Sequence, residues 1–274
     1  MSFLNSAFVT SLAGALAGAY AGARAAQKIA ERSKMRDLAI AELRSTNAAI
    51  MVSFSICSAA LALKDQHVKP MYDRFLLEKE RLEVFQQQRA TRQRQDAAPF
   101  EFEADLQTFP APVVPIKMLR DLLFNKTSNH GRPLALVAVL EQSLAGLVDQ
   151  IAKRDQIIAN FSSGAVPSNV LPHHYFGLPL EDASTNRVFP DVVKGLREYV
   201  DDVVFFSKLL CEDLVAHGEG VKAASRRLFG KEAPHVNRPD FGTPRKNGLL
   251  PSDSNYQQWL NGFPNQLKTV KQIL

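Results

Sequence analysis

MSFLNSAFVTSLAGALAGAYAGA, residues 1–23, contains no Asp, Glu, Lys, Arg or His, and Arg24 then opens a basic run through Lys28, Arg32, Lys34 and Arg36. As a helix, Phe3–Ala23 would be about 31 Å long, which matches the hydrocarbon core of a bilayer. Two rows run along it. Ser6, Thr10, Gly14, Gly18 and Gly22 recur every fourth residue and are all small. Phe8, Leu12, Leu16 and Tyr20 recur at the same spacing, about 200° round the helix. The small row lets another helix backbone approach closely, and the bulky row suits lipid, with Tyr20 near the interface.

Two other readings compete. A cleaved signal peptide carries a positive n-region, and Met1–Ala23 has none. An interfacial or soluble Ala/Gly helix would fit the diluting residues Asn5, Ser6, Thr10 and Ser11. A single membrane span is the reading adopted. All the flanking Lys and Arg follow the segment, which places the bulk of the chain on the cytoplasmic side of the cell (inner or plasma) membrane.

Composition is ordinary for a folded protein, at 46% hydrophobic and 22% charged, and the net charge of +5 is unevenly spread. Arg24–Arg44 holds six bases against three acids, and Lys222–Lys246 seven against two. Arg24, Lys28, Arg32, Lys34 and Arg36 are expected to contact lipid headgroups. No aromatic-studded basic strand or nucleic-acid motif accompanies these clusters, so nucleic acid is not the expected partner. The two cysteines, Cys57 and Cys211, lie in apolar helical patterns, which suits buried thiols in a reducing compartment.

The expected fold is all-α: an N-terminal transmembrane helix, then an antiparallel bundle of long helices with two Pro-rich irregular segments. Its parts are the anchor (1–23), a segment of three helices (24–98), and the rest of the bundle (99–274), with loops at 99–115 and 162–187 and a tail from 231. Ser45–Leu63 is again uncharged and reads either as a second span or as the central helix of a soluble bundle. Its polar residues, among them Asn47, Ser53, Ser55 and Ser58, and the unbroken helical pattern before it, favour the buried helix. Pro70 is expected to interrupt or kink the path. Met71, Phe75, Leu82 and Phe85 mark the next helix, and Met118, Leu119, Leu122 and Leu123 a short one. A stripe from Val137 through Leu140, Leu144, Leu147, Val148, Ile151 and Ile158 to Phe161 marks a long helix. The longest pattern, Val192, Leu196, Tyr199, Val203, Phe206, Leu210 and Leu214, is a near-heptad, coiled-coil-like seam that asks for the 133–161 helix as antiparallel partner. Ser252 or Asp253 would cap a last helix carrying Tyr256, Trp259 and Leu260.

No phosphate loop, nucleophile elbow, HExxH or paired CxxC is present, and no cofactor, metal or catalytic residue is expected. Weak candidates are His173-His174 as metal ligands, Asp213/His217 at i, i+4 as an acid–base pair, Asp201-Asp202 as a solvated face, and Arg226-Arg227 as a phosphate contact. The expected function is a membrane-anchored scaffold or sensor that acts by protein association at the inner leaflet. It would self-associate through the Ser6/Thr10/Gly14/Gly18/Gly22 face. A membrane-perturbing effector or channel subunit, and an enzyme built on His173/His174 or Asp213/His217, are the alternatives.

Overall fold

One helix, α1, runs from Ala7 to Leu63, 57 residues and about 85 Å. No Pro or Gly falls between Arg24 and Leu63, so nothing in the sequence stops it. The computed structural model describes residues 7–92, 100–180, 182–230 and 233–264. Among these the chain is all α, with no strand and one isolated bridge between Pro179 and Thr185.

Pro70 does not break the path. It has no N–H to give residue 66, and its ring would crowd that carbonyl. A π-turn over Lys64–Val68 absorbs the mismatch, with Lys69 N–H bonding five residues back to Lys64 O, and the helix continues as α2, Lys69–Arg92. The short α3, Ile116–Asp121, passes into a second π-turn, Leu122–Lys126. Its buried residues are Leu119 and Leu123, whereas Met118 faces solvent. Gly131, at φ 65°, turns the chain into α4, Arg132–Ser162, with Pro133 in its first turn. Six residues of the 162–187 segment form a further helix, α5, Leu171–Phe176, which ends on left-handed Gly177. The long α6, Val188–Phe229, continues through Gly218 and ends on left-handed Gly230.

α6 is central. On one side it packs antiparallel to α1, and on the other antiparallel to α4. The seam read from its heptads therefore serves two partners. Ser45–Leu63 is a core helix: Ala49, Ile50, Ile56, Cys57 and Ala60 are buried in one cluster with Val203, Val204, Leu210 and Leu214 of α6. Small side chains let the two backbones approach. Ser53 Oγ donates to Ser207 O (2.9 Å), Cys57 Sγ to Val204 O (3.7 Å) and Cys211 Sγ to Ile50 O (3.7 Å). In the α4 stripe Val148 is exposed, and the seam position between Ile151 and Ile158 is filled by buried Arg154.

Two irregular segments close the bundle. Phe100 and Phe102 of the 100–115 crossover pack onto Phe85, Tyr175 and Phe176. Arg154, 1% exposed, donates to Gln107 O (2.5 Å) and Asp105 O (3.2 Å) and so fastens the crossover to α4. After Gly230 the chain returns along the α1–α6 groove. Asn47 of α1 donates to His235 O and accepts from Asn237 N, Val236 presses on Gly218, and Phe241 meets Phe54 edge-on. A short helix, α7 (Gly242–Lys246), follows, then a 3-10 turn (Asp253–Tyr256) capped by Ser252, and α8 (Gln257–Gly262). Tyr256 stacks on Phe205 at 3.7 Å and Trp259 meets Phe206 edge-on.

A methyl group added at Gly146 of α4 would be driven into the Tyr199 ring of α6. Gly146→Leu should therefore cost about 1–3 kcal/mol in urea denaturation despite its better helix propensity. Adding Tyr199→Ala to Gly146→Leu should recover part of that loss.

Candidate functional site

The first half of α1 buries no described side chain on the bundle. From Ser11 to Leu38 no side chain is buried; Leu16 is 64% exposed, Tyr20 66% and Ile29 70%. Packing on the bundle begins at Ala39 and Leu43. A Cβ built at Gly14, Gly18 or Gly22 meets nothing within 4 Å. Ser6 lies outside the described residues, and Thr10 lies on the helix with its side chain outside them. Among the described residues, two helical stretches are long and apolar enough to cross a membrane, Ser11–Arg89 and Arg132–Ser162. The most apolar part of the first is half buried, which places it in the half that packs on the bundle.

At the foot of this arm the structure joins two clusters that are far apart in sequence. Leu12, Leu16 and Tyr20 continue at the same four-residue spacing into Arg24, Lys28, Arg32 and Arg36. Such pairs are neighbours on a helix surface. Arg24 Nη1 donates to Tyr20 Oη (3.4 Å), and Arg32 Nη2 donates to Leu228 O at the C-terminus of α6 (2.8 Å). The basic end of α6 (Lys222, Arg226 and Arg227) therefore stands beside the basic run of α1. The C-terminal carbonyls of a helix attract cations, which accounts for Arg32 but not for the whole collection.

Pairing along α6 changes abruptly there. Lys194 pairs with Glu198, Lys208 with Glu212, and Arg197 lies over the Tyr72 ring (4.5 Å). Among the described residues, Lys222, Arg226 and Arg227 have no carboxylate within ion-pair distance, and neither do Arg24, Lys28, Arg32, Lys34 and Arg36. Of the other described bases of the second cluster, Arg238 pairs with Glu219 (2.8 Å), and Arg245 and Lys246 lie on α7.

The groups that suggested chemistry hold helices together. Asp213 takes a bidentate grip from Arg132, with Nε to Oδ2 at 2.7 Å and Nη2 to Oδ1. His217 Nε2 lies 2.7 Å from Glu42 Oε1, which also accepts from Ser128 N (2.8 Å) and Oγ (2.9 Å). The carboxylate sits between serine and histidine, so the Ser128 hydroxyl donates to Glu42 and no imidazole accepts its proton. Asp213 and His217 thus belong to two separate links, to α4 and α1. Asp201 and Asp202 are not a solvated face. Asp201 pairs with Lys64 (2.5 Å), which also donates to Leu249 O, and Asp202 accepts from Tyr256 Oη (2.9 Å). Burial pushes the Asp202 carboxyl up, and the hydrogen bond from Tyr256 opposes it only in part.

His173 and His174 sit on α5 rather than on a loop. Their Nδ1 atoms meet Pro179 O (2.6 Å) and Asn186 Nδ2 (2.9 Å). Among the described residues no group of three His, Cys, Asp or Glu side chains is placed to hold a metal. Cys57 and Cys211 are free and buried, and burial pushes their thiols up to about 11 and about 12. Sequence reasoning missed Glu42, Ser128, Arg132, Lys64 and Arg154. Only Arg154 left a signal, a charge inside an apolar seam.

Burial pushes Glu42 up, but hydrogen bonds from His217 and Ser128 outweigh it and hold the carboxyl below its ordinary 4.5. A depressed carboxyl stabilises the fold above its unfolded value, and that contribution fades as pH falls through the folded value. Wild-type protein should therefore lose stability on acidification from about pH 5 to pH 3, whereas Glu42→Gln, weaker at pH 7, should lose less across that window in urea titrations. Neither thiol should react with an aromatic disulfide reagent until the protein is unfolded, when both should. No protein-family model, curated protein or solved structure matches the chain.

Proposed function

We propose that the chain is a membrane-anchored helical scaffold or sensor. Residues 1–23 cross the bilayer, Arg24, Lys28, Arg32, Lys34 and Arg36 meet inner-leaflet headgroups, and the bundle works in the cytoplasm by associating with other proteins. The observation that carries this reading is the unpartnered arm of α1, apolar and then basic along one four-residue row.

Water is a poor solvent for that arm. A lone helix gains nothing from packing, and each of Gly14, Gly18 and Gly22 costs about 1 kcal/mol against Ala. In hydrocarbon the balance reverses, because an unravelled backbone would leave its N–H and C=O groups without partners. The change from uncharged to basic sequence at Arg24 suits the boundary between hydrocarbon and headgroups. The small-residue row Ser6/Thr10/Gly14/Gly18/Gly22, open at its three glycines, would then serve a second copy of the arm, since association in lipid depends on close backbone approach. The buried polar links support action by association, because the groups that could react are engaged in joining helices.

Full-length protein mixed with vesicles of neutral phosphatidylcholine should float with them in a density gradient and resist extraction by alkaline carbonate. Protein left at the bottom of the gradient contradicts the proposal. Gly14→Leu/Gly18→Leu/Gly22→Leu should still float but lose cross-linking between copies; cross-linking equal to wild type would rule out the small-residue face.

A further inference from the structure

We propose that the open cleft on the last turns of α6 binds the phosphates of an anionic lipid headgroup carrying more than one phosphate. This rests on the membrane reading above and gives it a ligand. The cleft, of about 480 Å³, is lined by Glu219, Lys222, Ala223, Arg226 and Arg227. Lys222 and Arg226 are four apart, as are Ala223 and Arg227, so two basic side chains flank the hollow left by the alanine methyl. The lone acid at its edge, Glu219, is neutralised by Arg238 at 2.8 Å.

What would repel an anion here is largely occupied. Leu228 O accepts from Arg32 and Arg226 O from Gly230 N (2.9 Å), so two of the carbonyls that end α6 are already engaged. Lys222, Arg226 and Arg227 then present three positive charges without a carboxylate partner among the described residues. Two guanidinium forks beside an ammonium match phosphate oxygens better than a single carboxylate. One phosphate would leave that charge under-used, and a headgroup with two or more would balance it.

Position favours lipid over nucleic acid. The cleft opens at the end of the bundle from which the apolar arm departs, held beside α1 by Arg32. Among the described residues, none that lines it is aromatic, so these offer no platform on which bases could stack. Leu228 stands beside Arg32, about 13 Å along the arm from Ala23, and Lys222 lies about 9 Å further along α6, so the long basic side chains reach back toward the headgroups from within about 22 Å.

The test is calorimetric titration of full-length protein in uncharged detergent micelles. The probes are dioctanoyl phosphatidylinositol bisphosphate, inorganic phosphate and a single-stranded RNA 20-mer. The expected result is saturable binding of the lipid, weaker binding of inorganic phosphate and RNA, and a loss of roughly a hundredfold in lipid affinity for Lys222→Gln/Arg226→Gln/Arg227→Gln. A control with the same charge change on paired bases, Lys153→Gln/Lys194→Gln/Lys208→Gln, should bind within a fewfold of wild type. The inference is overturned if the lipid does not bind, if both triple variants weaken it equally, or if phosphate or RNA binds as tightly as the lipid. Failure here with normal flotation on neutral vesicles removes the cleft and leaves the anchor standing. Binding here without flotation removes the anchor instead.

Discussion

The close antiparallel contact between α1 and α6 is what everything else is built on. Serine and cysteine side chains on each helix donate to carbonyls of the other, through Ser53 to Ser207 O, Cys57 to Val204 O and Cys211 to Ile50 O. Small side chains allow that approach, and their polar atoms are spent on backbone acceptors rather than left without partners. This pair forms the groove that receives the returning C-terminal chain. It also holds the α6 C-terminus beside the root of the arm and leaves the other flank of α6 for α4. Polar links at Arg132–Asp213 and Glu42–His217 fix the level at which α4 and the Ser128 turn join. Breaking a buried pair of this kind by truncating one partner commonly costs about 3–5 kcal/mol.

The same contact explains why Ser45–Leu63 was ambiguous in sequence. A helix without charges and with several serines resembles a membrane span and also resembles a core helix that packs backbone to backbone. Helix periodicity placed α4 and α6 well, because their apolar stripes are long and few Pro or Gly residues intrude, but it divided into an anchor and separate helices what runs as one helix from Ala7 to Leu63. At Pro70 the α-helical pattern is interrupted by a π-turn that still carries the path onward, and at 171–176 Pro-rich flanks hid a short helix. Val148 and Met118 fitted their stripes by spacing but face solvent, because the packing faces are narrower than the stripes.

The site was legible only in its pieces. Each basic cluster stands out in the sequence, yet nothing local says that Arg32 meets Leu228, 196 residues away. Asp213 and His217 were visible as a pair on one helix face, but their partners Arg132 and Glu42 come from other helices, and those partners turn an apparent catalytic pair into two structural links. The chain thus divides into a bundle whose longest-range polar groups join helix to helix and an arm whose apolar and basic groups do not pack on it. That contrast is the physical basis for placing the arm in lipid.

The buried, unreactive state of Cys57 and Cys211 makes a direct measurement possible. A cysteine placed at Leu16 can be labelled alone with an environment-sensitive fluorophore in the folded full-length protein. When phosphatidylcholine vesicles are added, its emission should shift to the blue and become protected from iodide while remaining quenchable by lipids brominated along their chains. Emission that stays red and fully open to iodide would mean that the arm remains in water, which contradicts a membrane-spanning α1.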